Sequence, residues 1–565
     1  MTEPQVLVTR IHEDGTQSAQ ALSTPKSDQR GCEMHVLPTR TIPVVFLPGI
    51  MGTHLKLSSV RQAELKKNTN VSWRPEATME TIAMIFKDAH QRQKILDPDA
   101  TEVDRYEFGN PESDKRHKNV AHVAYVNASN RDQLSAEERD QYARIRGWSE
   151  VFFDSYGTLL QDLEQRLNQM CKLGKPDTAW KEGALKILDV SPGDWGGDGG
   201  DALTEDQLIK ISDAWYPVHA VGYNWLRSNG DSAKEVAQRI REIIQYYKDR
   251  KFKCEKVIVV THSMGGLVGR ALIHPEYGNA MDLVAGIIHG AMPAVGAAAA
   301  YKRIRVGFEG SGLMGYLFKK VVGDTGPKVT AVLANAPGGL ELLPSERYGT
   351  DWLKAELNGG EVLSLPKSDP YTEIYTVQDK WYRLITPDWV NPANSDTSGL
   401  IYTFKKLKDA RALHQAIGSC YHPITYLSYG ADDKQKAWGN VTWRATKAPF
   451  LNGGAGQHLG LEKLDVFSDA SQWKSKHDDG TGTAILTDSL DQQPFGVEIQ
   501  PPDIAGDGTV PAERSAQDPV RQGKAKISYR QAGYEHQGSY QNNKAIASTL
   551  HGICKIAHDA FTWWE

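Results

Sequence analysis

The stretch VIVVTHSMGGLVGRALI, residues 257–273, decides the fold because its character changes twice over a short distance. Four β-branched residues, Val257 to Val260, come first, and a run of helical character begins near Gly265. A single serine, Ser263, stands between the two. A buried strand followed directly by a helix is the unit from which parallel sheets are built. We therefore predict a strand, a sharp turn at Ser263 and a helix.

The flanking sequence continues this alternation of strand and helix. Short apolar runs predict further strands at residues 44–47, 215–225, 283–289, 424–430 and 524–530. Apolar residues at helical spacing predict helices at residues 155–170, 232–250 and 543–561. Strands that alternate with helices indicate an α/β fold, with a mostly parallel central sheet and helices on both faces.

The length of 565 residues exceeds that of most single domains. Residues 1–41 are polar and turn-rich and predict a flexible leader. The strand and helix patterns fade over about 58–145, 293–420 and 431–503. We predict one α/β domain over residues 42–565 that carries these three stretches as insertions, the second of them forming a cap or lid.

Composition excludes several functional classes. The net charge of −5, from 65 basic and 70 acidic residues, predicts no nucleic-acid partner. The five cysteines are scattered without a CxxC pair, which argues against a disulfide framework and against a zinc site. The N-terminus lacks the pattern of a Sec signal peptide, and glycine and proline interrupt the least polar run, residues 283–301. We expect a soluble chain that is made in the cytoplasm.

A lone serine at a strand-to-helix turn is typical of a nucleophile elbow, where small residues two before and two after the serine relieve crowding. Gly265 satisfies the second position, but Thr261 stands where glycine is usual. The alternative interpretation of Ser263 is a helix N-cap with no chemical role.

A serine nucleophile needs a base, and the base needs an acid. In the order serine, acid, histidine, the motif AGDGTVP offers Asp507 and the loop before the last helix offers His536. Asp432, directly after the predicted strand at 424–430, is the rival acid. His551 and His558 lie within the predicted last helix, so they point less readily at the serine. His262 is expected to face away from it in a structural role.

The transition state of acyl transfer also needs two backbone N–H groups that stabilise an oxyanion. The residue after the nucleophile, Met264, supplies one candidate. The loop PGIMG after the first strand supplies the other, Ile50, because Gly49 and Gly52 let its backbone approach a substrate closely.

Several motifs of the sequence resemble those of known protein families. FLPGIMGTHLKL, GYNW, THSMGGLVGRAL, GGLELLP, TYLSYG and GDGTVP together resemble lecithin:cholesterol acyltransferase-like and GPI-inositol-deacylase-like α/β-hydrolases. PDATEVD, RGWSEVFFDSYGTLLQDLE and YEHQGSY are similar to bacterial type VI secretion lipase effectors. The resemblance covers roughly residues 42–556 and favours Asp507 over Asp432, because these families place a strand like TYLSYG well before the acid.

The resemblance implies a serine phospholipase that hydrolyses acyl esters of membrane phospholipid without a cofactor. It also implies an antibacterial effector delivered into the periplasm of target cells, with an immunity protein and a secretion spike protein as partners. Two alternatives stay open: a soluble esterase or acyltransferase of the same fold, and a non-catalytic binding module.

Two further segments are ambiguous. In the segment after residue 297, Leu313, Met314, Leu317 and Phe318 are apolar residues of a predicted lid that contacts lipid, or of an ordinary cap packed on the core. Asp194, Asp198 and Asp201 form either a structural calcium loop or a solvated acidic turn. Their spacing does not match an EF-hand, which favours the turn. No other metal site is predicted.

Overall fold

The computed structural model describes residues 38–76, 78–117, 136–172, 174–310, 319–446, 469–488 and 494–561, together with short strands near the N-terminus. Within the predicted leader, Gln5–Val8 pairs in parallel with Cys32–His35, and Arg10–Ile11 pairs antiparallel with Gln17–Ser18. The candidate lid residues Leu313, Met314, Leu317 and Phe318 lie outside the described residues.

The centre of the fold is a six-stranded sheet. Its strands, in chain order, are β1 (Val44–Leu47), β2 (Val218–Ala220), β3 (Val257–His262), β4 (Val284–Gly290), β5 (Thr425–Gly430) and β6 (Ile527–Gln531). They lie in the order β2-β1-β3-β4-β5-β6, and every neighbouring pair is parallel. The predicted parallel α/β sheet is confirmed. Its strands all end at one edge, where ligands bind in such sheets.

Alternate residues of each strand are buried on opposite faces of the sheet, as expected for a sheet covered on both sides. The longer helices are α1 (Phe153–Leu167), α2 (Asn229–Asp249), α3 (Gly265–Ile273), α4 (Ala298–Val306), α5 (Leu400–Ile417) and α6 (Asn543–Ala560). One face packs with α2 and α3 through Val45, Leu47, Val257 and Val259. The other packs with α1 and α6 through Val44, Phe46, Ile258 and Val260.

Further helices surround this core. They span Ser59–Glu64, Thr78–Ile85, Ala89–Ile95, Pro111–His117, Ala136–Ile145, Glu205–Ile211, Gly326–Leu333, Pro337–Leu340, Pro387–Val390 and Asp518–Arg521. Within the described ranges, no helix is long and apolar enough to cross a membrane.

A second six-stranded sheet, of mixed direction, was not predicted from the sequence. Its strands, in spatial order, are Gly360–Leu365, Leu353–Leu357, Val441–Thr446, Pro494–Ile499, Thr483–Thr487 and Lys474–Asp478. Buried Trp443, Trp473 and Phe495 join it to the apolar cluster on the α2 and α3 face. Two of its five pairings join strands that lie far apart along the chain, because Val441–Thr446 pairs with Leu353–Leu357 and with Pro494–Ile499, and no local pattern predicts these pairings.

Small strand groups complete the fold. Leu55–Leu57 pairs with both Val71–Trp73 and Thr101–Val103. Asp432–Ala437 pairs with Ile504–Gly506, which leads directly into Asp507. This pairing brings the end of the long third predicted insertion back to the carboxyl edge of the central sheet.

Helix α1 is fixed against β2 by a buried carboxylate. Arg146 Nη1 donates to Glu164 Oε1 at 2.8 Å, and the Val218 backbone N–H donates to Glu164 Oε2 at 2.8 Å. The Glu164 side chain is fully buried and that of Arg146 is 8% exposed. Removal of one partner of such a pair leaves the other buried without its counter-charge.

We expect Glu164→Ala to lower the free energy of unfolding at pH 8 by roughly 3–5 kcal/mol. Urea denaturation followed by tryptophan fluorescence measures this loss. Glu205→Ala is the matched control, because the Glu205–Lys181 pair is 45% and 47% exposed. Exposed pairs contribute less than about 1 kcal/mol. Equal losses in the two variants would contradict the argument.

Candidate active site

Ser263 lies at the sharp turn between β3 and α3. Its φ is +51°, a region that costs a residue with a side chain roughly 1–2 kcal/mol. Its backbone N–H donates to the Gly290 carbonyl at 2.9 Å. A Cβ at Gly265 would lie 2.5 Å from the carbonyl oxygens of both Leu47 and Pro48, so only glycine fits there. The turn is therefore strained and tightly packed, as expected of a nucleophile elbow.

Thr261 occupies the position where the usual pattern has glycine, and the structure shows how it is accommodated. Its side chain is fully buried and its Oγ1 lies 2.9 Å from His289 Nδ1. A Cβ at Gly269 of α3 would approach Thr261 Cγ2 to 3.1 Å. The space for the threonine thus comes from a glycine on the facing helix.

The structure brings together Ser263, His536 and Asp507 from three separate parts of the chain. His536 Nε2 lies 2.8 Å from Ser263 Oγ, and His536 Nδ1 lies 2.8 Å from Asp507 Oδ2. These are hydrogen-bond distances in the order that lets an imidazole accept the hydroxyl proton. The arrangement can turn a serine hydroxyl into a nucleophile.

The Asp507 carboxylate is buried, with 1% exposure. The backbone N–H groups of Thr509 and Val510 donate to its Oδ1 at 3.1 and 2.7 Å, which leaves Oδ2 for His536. Burial alone raises the pKa of Asp507, but His536 and these N–H groups hold that pKa below its ordinary value. Asp507 is therefore ionised at neutral pH and can stabilise an imidazolium.

The rival acid does not contact the imidazole. Asp432 accepts hydrogen bonds from the backbone N–H groups of Lys434 at 2.8 Å and Gly533 at 3.0 Å. Its carboxylate thus holds the loop that carries His536 rather than His536 itself. Among the other candidate histidines, His551 is bonded to the Tyr529 hydroxyl and the Asp201 carbonyl, and His558 lies beside Asp559.

The expectation that His262 faces away from the site is wrong. Its ring packs beside the His536 ring with centroids 5.1 Å apart, and its Nε2 lies 3.0 Å from the His536 carbonyl. A carbonyl only accepts, so Nε2 carries the proton and Nδ1 is the acceptor. The Tyr156 hydroxyl, 3.0 Å from His262 Nδ1, therefore donates to it.

Tyr156 links His262 to the loop after β1. Its hydroxyl accepts from the Gly49 backbone N–H at 3.1 Å. Burial, together with the nearby His536, lowers the pKa of His262 to about 3, so His262 stays neutral. One chain of hydrogen bonds thus joins the Gly49 loop to the His536 loop. Sequence reasoning missed Tyr156 because it lies on α1, far along the chain from its partners.

The two candidate oxyanion donors are Met264, which directly follows Ser263, and Ile50, in the loop after β1. Among the described residues, the backbone N–H groups of Ile50 and Met264 have no protein acceptor. The loop of Ile50 passes close to the serine, since a Cβ at Gly49 would lie 3.0 Å from Ser263 Cβ. Both N–H groups are therefore available to a developing negative charge.

Ser263 and His536 open into a cavity of about 370 Å³, a size that suits a small organic ligand. Most of its wall is apolar and includes Ile50, Met51, Trp73, Phe152, Pro293, Ala297, Phe308, Leu333 and Leu342. Four charged residues, Arg303, Glu309, Asp507 and Glu535, also line it. The cavity can take an extended apolar group with its polar end beside the serine.

The candidate calcium loop is tied to the central sheet. The Asp198 carboxylate accepts the backbone N–H of Ser528 at 2.8 Å and its hydroxyl at 2.7 Å. Across the described part of the chain, no group of three or more His, Cys, Asp or Glu side chains is placed to hold a metal ion. Asp198 thus has a structural partner in β6.

Comparison with known proteins supports the fold of the chain. Residues 227–310 match the family model of the PGAP1-like alpha/beta domain. The chain is similar to a chain in the crystal structure of the Tle4–Tli4 complex, with 28% identity, a TM-score of 0.69, and coverage of 92% of this chain and 98% of that chain. No curated protein matches it significantly. The α/β-hydrolase fold and the resemblance to GPI-inositol-deacylase-like hydrolases and type VI lipase effectors are confirmed.

We expect Asp507→Asn to lower kcat on a soluble p-nitrophenyl ester by about four orders of magnitude, because an amide cannot fix the imidazole tautomer or stabilise its charge. Asp432→Asn is the control. It keeps an acceptor oxygen for Gly533 and is expected to stay within about twofold of the parent kcat. The reverse ranking would make Asp432 the acid.

Tyr156→Phe is expected to lower kcat about tenfold with little change in KM, because one hydrogen bond that positions the two loops is lost. Tyr216→Phe is the matched control, since the Tyr216 hydroxyl donates to the Ile211 carbonyl at 2.7 Å. Steady-state kinetics and thermal unfolding are measured for both. If kcat fell in proportion to stability in both variants, Tyr156 would act only through packing and the prediction would be wrong.

Proposed function

We propose that the protein is a serine lipase that hydrolyses the acyl ester bonds of membrane phospholipids. The observation that carries the proposal is the hydrogen-bonded series Ser263, His536, Asp507 at the floor of a largely apolar cavity. Similarity to a lipase effector supports an ester hydrolase. The apolar wall supports a lipid acyl chain as the group that is held, because such a surface offers few partners for a polar substrate.

In this proposal, His536 Nε2 takes the proton of Ser263 as Oγ attacks the ester carbonyl carbon. The N–H groups of Ile50 and Met264 stabilise the oxyanion of the tetrahedral intermediate. The intermediate collapses as His536 returns the proton to the departing glycerol oxygen, which leaves the acyl group on Ser263. A water molecule, activated by the same imidazole, then releases the fatty acid.

The similarity to the Tle4–Tli4 complex supports a biological setting for this activity. Tle4 is a type VI lipase effector, and it is crystallised with Tli4. We infer that the present chain is an antibacterial effector that acts on phospholipid in the periplasm of a target cell. A cognate immunity protein and a spike protein of the secretion apparatus are the partners that this role requires.

Wild-type protein incubated with vesicles of a defined diacyl phospholipid is expected to release fatty acid and lysophospholipid, identified by mass spectrometry. Ser263→Ala is expected to lower the rate by several orders of magnitude while thermal unfolding stays close to that of the parent. A folded Ser263→Ala protein with full activity would exclude this mechanism.

The same assay separates the alternatives. Cleavage of short soluble esters without cleavage of phospholipid would identify an esterase. Transfer of the acyl group to an added alcohol in preference to water would identify an acyltransferase. Absence of turnover on every ester would leave a binding module.

A further inference from the structure

Arg303 places a cationic side chain in the largely apolar wall of the cavity. It lies on α4 and lines the same cavity as Ser263 and His536. Its side chain is 18% exposed. A guanidinium in a largely apolar surface is costly, and an acyl chain gains nothing from it. Its presence calls for an anionic partner in the cavity.

The position of Arg303 is fixed relative to the candidate acid. Arg303 Nη2 donates to Thr509 Oγ1 at 3.0 Å, and the backbone N–H of Thr509 donates to Asp507 Oδ1 at 3.1 Å. The Arg303 guanidinium also stacks over the Phe308 ring, 4.9 Å from its centroid. These contacts hold the guanidinium beside the loop that carries Asp507, at the rim of the reacting centre.

The Arg303 guanidinium forms an ion pair with the carboxylate of Glu309 in the structure. Arg303 Nε donates to Glu309 Oε1 at 3.0 Å, and Lys302 Nζ donates to Glu309 Oε2 at 2.9 Å. Lys302 and Arg303 lower the pKa of Glu309 to about 2 although burial opposes this, so Glu309 is ionised. Burial together with the charges of Arg303 and Lys319 lowers the pKa of Lys302.

This cluster therefore has more positive than negative charge. Lys302 and Arg303 both pair with a single carboxylate, that of Glu309. In the described part of the chain, Arg303 Nη1 has no protein hydrogen-bond partner. The other acidic residues that line the cavity are already engaged, Asp507 by His536 and Glu535 by the backbone N–H groups of Gln537 and Gly538.

We propose that Arg303 is the residue that recognises the phosphodiester of the lipid headgroup, and that Glu309 holds its place until substrate binds. The planar fork of a guanidinium matches the geometry of phosphate oxygens, and a charge-assisted pair is stronger than a neutral one. The phosphate displaces the Glu309 carboxylate from Arg303 and leaves it paired with Lys302. This inference rests on the proposed function and assigns its specificity to one side chain.

The test compares two substrates with the same acyl chains, a diacyl phospholipid and the corresponding diacylglycerol, which lacks the phosphate. Both are presented in mixed micelles of one neutral detergent. Arg303→Gln is expected to lower kcat/KM for the phospholipid by about 10- to 100-fold, as for the loss of a charged hydrogen-bond pair. The ratio of phospholipid to diacylglycerol kcat/KM falls by at least about tenfold for the same reason.

Glu309→Gln tests the displacement directly. A neutral amide competes less for Arg303, so this variant is expected to raise phospholipid kcat/KM by a few-fold. An ion pair that only stabilises the fold predicts the opposite, a parallel decrease for both substrates in both variants. Arg444→Gln is the matched control, because Arg444 pairs with Glu356 on the second sheet and is 53% exposed. It is expected to leave both activities as in the parent.

The outcomes distinguish this inference from the function on which it rests. Equal loss of phospholipid and diacylglycerol cleavage in Arg303→Gln overturns phosphate recognition and leaves the lipase intact. Phosphate recognition is also overturned if Arg303→Gln binds product fatty acid more weakly but keeps its preference for phospholipid. In that case the anion that Arg303 binds would be the fatty acid carboxylate. Wild-type protein that cleaves neither lipid overturns both proposals.

Discussion

The close approach of two backbone segments beside Ser263 is the constraint on which the site depends. The loop after β1 passes very close to the turn after β3. A Cβ added at Gly265 would clash with the backbone of this loop, and a Cβ added at Gly49 would lie 3.0 Å from Ser263 Cβ. Adjacent parallel strands make this approach unavoidable, because β1 and β3 are paired and end at the same edge. The strain at Ser263, with φ at +51°, is sustained by that packing.

The site residues that could be predicted from the sequence are those that lie in short local motifs. Ser263 stands at a strand-to-helix turn and Asp507 in a Gly-Asp-Gly turn, so both could be predicted, and His536 followed from chain order. Thr261 departs from the usual elbow pattern, and the sequence did not show that Gly269, on the following helix, leaves space for its side chain. His262 was misjudged and Tyr156 was missed because their hydrogen bonds join residues far apart in sequence.

The central sheet was predictable for a similar reason, and the second sheet was not. The residues of the central strands are buried, apart from Arg530 of β6, and most of these strands stand out as short apolar runs in a single window of sequence. Strands such as Lys474–Asp478 are mostly exposed and charged and gain order only from their neighbours. The place of Val441–Thr446 between Leu353–Leu357 and Pro494–Ile499 depends on pairing across long stretches of chain, which composition does not encode.

Different kinds of interaction position the residues at the floor and at the wall of the cavity. At the floor, neutral hydrogen bonds run from Gly49 through Tyr156 and His262 to the carbonyl of His536. The first three residues are buried, and the side chain of His536 is 12% exposed. A buried chain of this kind has no competitor in solvent, so it keeps the reacting groups in one geometry. At the wall, Arg303 meets the 34% exposed Glu309, and any anion of suitable shape can compete for it. Under the proposed function, a fixed hydrogen-bond chain at the floor would keep the geometry of the reacting groups constant, while a bound headgroup would rearrange only the ion pairs at the wall.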